Sequence, residues 1–321
     1  MSLKKSKSST LPTTSSSKKK SNPFVYIAQH RYLYIMLVPG LLYLLIFRYI
    51  PMGGIVMAFQ DFSFKKGIFG SPFNHFANFK LLFSSDVFYR VLGNSLSLSV
   101  IRLICSFPVP IILALLLHEI NAKHYRKATQ TLMYLPHFIS WVVLAGIFTN
   151  FLSMSDGLIN IILEKITGQR YNFLGSPSWF RPIIIISHIW KGAGWGTIIY
   201  LAGLSAINPE YYEAATVDGA NRWQKLFHIT LPGIRPTIVI LFILGVGGLM
   251  DNGFEQIFLF QNDLNISVAE VFETFTYRIG IVGGRYSYST AVGLFKSVVA
   301  AIMVFSANIV SRKLGQTSLY S

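Results

Sequence analysis

Charge is scarce in this chain of 321 residues: Asp, Glu, Lys and Arg together make up 13% of it. An ordinary soluble domain carries about 25%. With 52% apolar residues and a mean hydropathy of +0.49, that scarcity overrides the pair of soluble domains that length alone suggests, and points to a bilayer as solvent. Acids are scarcest, 13 against 28 Lys and Arg. Asp156, Glu164, Asp218 and Asp263 are scattered, so no clustered carboxylate pair or metal site supports a membrane-embedded glycan-processing enzyme. Cys105 is the single cysteine, which excludes an internal disulfide and a Cys-based metal site. No Gly-x4-Gly-Lys-Ser/Thr run occurs, so the chain is not expected to bind ATP itself. The glycines of Lys191-Gly192-Ala193-Gly194-Trp195-Gly196 read instead as close helix packing. There is no tandem repeat. A cleavable secretory signal is not expected, because the first apolar stretch begins far from the N-terminus and runs too long.

What is abundant is long apolar sequence. A spanning helix needs about 20 mostly apolar residues, and six segments qualify, at about 32–50, 94–117, 131–151, 181–206, 234–256 and 289–311. The fold class expected is all-α, a polytopic membrane protein of about six transmembrane helices. The net charge of +15 is concentrated at the start, where Lys4, Lys5, Lys7, Lys18, Lys19 and Lys20 sit among serines without an acid. Residues 1–30 read as a disordered basic arm, a positive-inside signal that touches anionic lipid. Nucleic acid is a poor partner for it, since no basic surface interleaved with aromatics follows. The Lys and Arg bias puts both termini in the cytoplasm, and the short loop Lys123 to Lys127 agrees. The long outside loops, about 51–93, 152–180 and 257–288, are rich in Phe, Tyr, Gly and Asn. They fit either an interfacial aromatic belt or a docking surface. Residues 31–315 form the expected membrane domain, and 316–321 a short tail.

Three cations fall inside expected spans: Arg102, Lys191 and Lys296. Counted from the outer helix ends, each lies roughly 10–15 Å deep. A central charge costs about 2.5–3.5 kcal/mol on insertion scales, so each is a functional candidate. Asp251 and Glu255 stand four residues apart and are expected on one face at the outer end of the fifth span. Two readings stay open. The charges can pair internally, or they can line a cavity for an anionic sugar, with Trp190, Trp195 and Tyr288 as flat surfaces for its rings. Three cations against two acids favour an acidic saccharide. His137 and His188 read as packed or capping residues, with no partner at metal-ligand spacing.

The loop between the fourth and fifth spans, 207–233, is the most informative segment. Asn208 suits an N-cap and Pro209 the first helical position. Glu210 and Glu213 fall in the first turn, where carboxylates complement the helix dipole. Ala214 and Ala215 leave a small-residue side, and Gly219 can end the helix. A second short helix is expected from Asn221 to His228, leading to Leu231-Pro232. On these residues alone an ordinary re-entry loop remains open.

The run Glu213-Ala214-Ala215, three residues, Gly219, nine residues, Ile229, one residue, Leu231-Pro232 resembles, without a gap, the EAA motif of binding-protein-dependent ABC importer permeases. The likeness extends over roughly 30–315, through Asn78-Phe79, Asn94-Ser95-Leu96 and Tyr134-Leu135-Pro136. Leu135 to Val143, Gly253-Phe254-Glu255-Gln256 and Ala291 to Ser297 resemble the permeases for acidic or complex polysaccharides such as alginate or uronate oligosaccharides. The resemblance implies that the loop is a cytoplasmic coupling helix in a cleft of the ATP-binding subunit, with Glu213, Ala214, Ala215, Asp218 and Gly219 at the contact. It implies a transport subunit of the bacterial inner membrane, not an enzyme, with no cofactor of its own and ATP and Mg on partner subunits. The partners implied are a second homologous permease, two ATP-binding subunits, an external solute-binding protein, the saccharide and membrane lipid. A neutral oligosaccharide is the alternative cargo. A self-contained channel would leave the loop unexplained.

Overall fold

The computed structural model describes residues 29–313; the basic arm and the tail lie outside the described residues, apart from the arm's last two positions. The chain forms two compact units, Met1–Gly54 and Ile55–Ser321. In the first unit, α1 (Arg31–Leu44) is apolar on every side and buries none of its side chains within the protein. A helix of that kind is stable where lipid covers it.

The described residues of the second unit form helices and their connections. Among the described residues the only strand-like pairing is a single bridge, Gln60 with Phe73. Two helices, α2 (Asp86–Ser106) and α3 (Pro108–His118), run as one 33-residue span interrupted at Phe107. Pro108 opens the second half, where its missing N–H costs least. Next come α4 (Lys123–Tyr134) and α5 (Trp141–Leu152), joined at a bend of 99°. The bend has a local cause. Pro136 sits in the tight turn Leu135–Phe138, Ile139 is extended, and Ser140 restarts the helix by accepting the Val143 N–H at 3.3 Å.

The bundle is organised around α6 (Pro177–Ser205), 29 residues long. It packs against α3, and Gly194 lies so close to α4 that a Cβ there would stand 1.9 Å from the Met133 carbonyl oxygen. At Gly196 the neighbour is Pro110 at 3.0 Å. Close packing is therefore what these two glycines serve, while Gly192 has open space. After α6 come α7 (Pro209–Val217), α8 (Arg222–Lys225) and α9 (Leu231–Gly247). Shorter helices α10 (Phe254–Phe260) and α11 (Phe272–Thr276) precede the last long one, α12 (Tyr286–Lys313).

Among the described residues four helical stretches are long and apolar enough to cross a membrane, and the bent pair, taken as one span, makes five. The expected segment 181–206 is α6, which is long enough but is not among them, diluted by His188, Lys191 and its glycines. The fifth expected segment, 234–256, is corrected: α9 ends at Gly247, and Gly253 breaks the chain direction with φ +74°. Asp251 and Glu255 thus stand on two segments, Asp251 in the turn and Glu255 in the first turn of α10, and do not share a helix face. Three apolar clusters hold the unit together. The largest gathers Phe180, Ile184, Ile257 and Val271 at one end of α6, and another gathers Ala114, Tyr200, Leu204 and Ile234 at the other.

Candidate functional site

At the end of α6 the chain folds as its caps dictate. The Asn208 side chain accepts the Glu210 N–H at 3.1 Å, and Asn221 and Gln224 form a reciprocal capping box for α8. Between them Gly219 takes φ +78°, a conformation that L side chains rarely adopt, and so ends α7 where it was expected to. The base of the loop is tied in two places. The hydroxyls of Tyr212 and Thr230 are 3.0 Å apart, and Lys225 Nζ donates to Thr216 Oγ1 at 2.8 Å. Glu213, Ala214, Asp218 and Gly219 are exposed, Ala215 is half-buried, and the Glu213 carboxylate makes no bond among the described residues. Beside them a cleft of about 680 Å³ is lined by Tyr211, Ala214, Ala215, Asp218, His228 and the end of α6. The loop offers two free acids, Glu213 and Asp218, and a small-residue face to whatever seats against it.

Within the span region the three cations have separate surroundings. Arg102 donates from Nη1 to the Asn252 carbonyl at 2.9 Å and from Nη2 to Gln256 Oε1 at 3.2 Å, and its Nε is buried without a partner. It lines a cavity of about 210 Å³ together with Ser99, Ser106, His188, Gly248 and Asp251. Ser106 Oγ is likewise buried and unpartnered, so the cavity presents free donors beside one exposed acid. Lys191 is elsewhere: its Nζ donates to the His137 carbonyl at 2.9 Å and to the Ile139 carbonyl, and lies 5.4 Å from the Trp141 ring centre. Those carbonyls belong to the bend between α4 and α5. Trp195 stacks on His137 at 4.6 Å and 5°, on the same bend. Lys296 pairs with Glu273 at 2.5 Å, and with neither Asp251 nor Glu255.

Of the expected pathway residues, then, the structure brings Arg102 and Asp251 together. Lys191 and Trp195 go to the bend, and Trp190 is exposed beside Phe148, with centroids 6.1 Å apart. Glu255 is exposed, and Tyr288 is buried beneath Arg285, whose guanidinium lies 4.9 Å from the ring centre. The excess of three cations over two acids is corrected, because Glu273 neutralises Lys296.

Sequence reasoning missed two acids. Glu273 and Glu270 lie in 257–288, read as an outside loop, yet this stretch folds back onto α2. Glu270 is fully buried, 2.6 Å from Arg278 and 3.8 Å from Arg90, and its carbonyl accepts from Asn94. The available signal was two acids three residues apart inside the apolar run Val268 to Phe275. Outside the spans, hydroxyl hydrogen bonds from Ser153 and Ser155 hold the Asp156 carboxyl below its ordinary range, and Arg170 does the same for Glu164.

An apolar helical bundle with a capped, exposed loop at one end is the build of a membrane transport subunit. Residues 82–316 match the family of binding-protein-dependent transport system inner membrane components, and the chain belongs to it. It is thus an inner-membrane transport component and not an enzyme. It is 46% identical over 294 residues to Protein LplB of Bacillus subtilis (strain 168), covering 92% of each chain. It is 44% identical over 302 residues to the polygalacturonan/rhamnogalacturonan transport system permease protein YteP of the same organism, covering 94% of each. Among solved structures, a chain of the bacterial alginate ABC transporter in complex with alginate pentasaccharide-bound periplasmic protein is 44% identical. It superposes with a TM-score of 0.85, covering 92% of this chain and 99% of that one.

Proposed function

We propose that the chain is the permease subunit of an ATP-binding-cassette importer that admits an acidic oligo- or polysaccharide to the cytoplasm by alternating access. The observation that carries the coupling is the loop from Asn208 to Pro232. Its motif is gap-free, and it folds as helix, glycine turn and helix, with Glu213 exposed and unpaired. Glu213 and the small face of Ala214, Ala215, Asp218 and Gly219 seat in the ATP-binding subunit, and Glu213 meets a basic group there. Closure of two such subunits on ATP and Mg moves the loop, and hydrolysis resets it. The remaining partners are a second permease and an external solute-binding protein. The spans number six with α6 included, both termini are cytoplasmic, and the basic arm touches anionic lipid.

The cargo reading is supported by the relatives, one a permease for polygalacturonan and rhamnogalacturonan and another a chain of an alginate transporter. It fits the cavity of Arg102, where the guanidinium Nε and the Ser106 hydroxyl lack partners. Of the residues first expected on the pathway, Arg102 and Asp251 line it, and Trp190 and Trp195 offer exposed ring faces. Lys191, Lys296, Glu255 and Tyr288 act on it through the packing around it. A neutral oligosaccharide is the second reading, favoured by the neutralisation of Lys296. The test is the assembled complex in liposomes with its ATP-binding subunits and binding protein. Oligogalacturonate or oligoalginate is expected to raise ATP hydrolysis, and Glu213→Lys to abolish that rise without lowering the melting temperature. A complex stimulated by neutral oligosaccharides alone would refute the acidic cargo, and an intact response in Glu213→Lys would refute the coupling role.

A further inference from the structure

A second hollow, of about 400 Å³, opens among Phe254, Glu273, Thr276, Tyr277, Ile281 and Ser289. One wall is aromatic. Phe254 lies 5.1 Å from Tyr277 between ring centres, Phe258 backs both, and Tyr277 keeps 36% of its surface exposed. The other wall is polar and consists of acceptors. Thr276 Oγ1 donates to the Phe272 carbonyl at 2.8 Å, and Ser289 Oγ donates to the Thr276 carbonyl at 3.0 Å. Both hydroxyl hydrogens are thus committed to the backbone while the oxygens remain able to accept. Glu273 uses Oε1 for Lys296 and for the Asn252 N–H at 3.3 Å, and its Oε2 is buried with no partner. A buried acceptor left unmade costs about 1–3 kcal/mol, so the hollow favours a ligand that donates. An acyl chain cannot do so, and an acidic sugar must turn its own carboxylate away from Glu273 and its hydroxyls towards it.

We propose that this hollow is a saccharide subsite, where Tyr277 and Phe254 receive the C–H face of a pyranose ring and Glu273 Oε2 accepts from its hydroxyls. This rests on the reading of the cargo as a saccharide and extends it to a second place of contact. One buried residue links the two linings: the Asn252 N–H donates to Glu273 and its carbonyl accepts from Arg102. A sugar chain with a ring at Tyr277 places a later unit near the guanidinium. The acceptor-rich hollow reads hydroxyls, the cationic cavity reads carboxylates, and only a cargo longer than one subsite uses both.

The test is cargo-stimulated ATP hydrolysis of the complete reconstituted transporter with galacturonate oligomers from dimer to hexamer. Tyr277→Ala is expected to raise the half-saturating concentration of the hexamer about tenfold and to leave the dimer nearly unmoved. Tyr277→Trp keeps a ring, so it retains the preference for length, and its emission shifts when the hexamer is added. The subsite is overturned if Tyr277→Ala matches the wild type at every length. It is equally overturned if Tyr277→Trp emission is quenched by brominated acyl chains and ignores the saccharide. A wild-type complex that responds to no saccharide sinks the broader reading instead, a result distinct from either.

Discussion

Lys191→Met separates a structural cation from a cargo-binding one. In the wild type the ammonium satisfies two backbone carbonyls, those of His137 and Ile139, at a bend that has no intrahelical donor for them. Met keeps most of the side-chain volume and removes all three donors. An acceptor left unmade in a buried place costs about 1–3 kcal/mol. Lys191 is half-buried, so water can reach part of the site, and about 2–4 kcal/mol is expected for the pair, with the Trp141 contact adding a fraction. At a few degrees per kcal/mol, that is a fall of about 5–10 °C in the melting temperature of the purified complex. The assay pairs thermal unfolding in detergent with uptake in liposomes, and tryptophan emission reports the Trp195 stack on His137. Lower stability, altered emission and reduced uptake together fit a brace at the bend. Unchanged melting with uptake lost only for acidic cargo would refute the brace and return Lys191 to the substrate pathway.

Three further outcomes follow from the same reasoning. Glu270→Gln removes the buried carboxylate that Arg278 and Arg90 reach from half-exposed positions; the arginines left behind can meet water, so a loss of about 1–3 kcal/mol is expected, read as a lower melting temperature. Gly194→Ala puts a Cβ against the Met133 carbonyl, where only backbone can move, and overpacking of about 1–3 kcal/mol should show as lost expression and stability, while Gly192→Ala is tolerated. The Asp156 carboxyl is held below its ordinary range by two hydroxyls, so its contribution is present above the unfolded value and lost as pH falls through the lower folded one. The protection factors of the amides across 153–170, with the intrinsic pH dependence of exchange divided out, should therefore fall on acidification, and less so in Asp156→Asn.

The loop at the end of α6 was legible because its signals are local: Asn208, Pro209, Asn221 and Gln224 are caps, and Gly219 is a helix stop. The spans were legible because hydropathy is a sum over neighbours. Two kinds of feature were not. The end of α9 was overrun because Leu249 and Met250 continue the apolar run, and hydropathy does not register the positive φ of Gly253. The partners of the membrane cations were hidden by distance, since Arg102 bonds to Asn252 150 positions away and Lys296 to Glu273 at 23. The outside stretches read as loops because each of their helices is short, down to the four residues of Ile266–Ala269. Glu270 is buried there only because α2 supplies Asn94 and Arg90.

The tie between Tyr212 and Thr230 has a mechanical consequence. It fastens α7 to the helical segment Leu226–Thr230 that runs straight into α9, and a Cβ on Gly233 would press within 2.6 Å of Ile207. The two long helices are thus clasped at their shared base and cannot splay there one at a time. A push on the loop becomes a torque on a stiff rod, since 29 residues of α6 span about 43 Å. A tilt of about 5° over that length carries the far end through about 4 Å, so a small rocking of the loop is enough to reset side chains at the other end of α6.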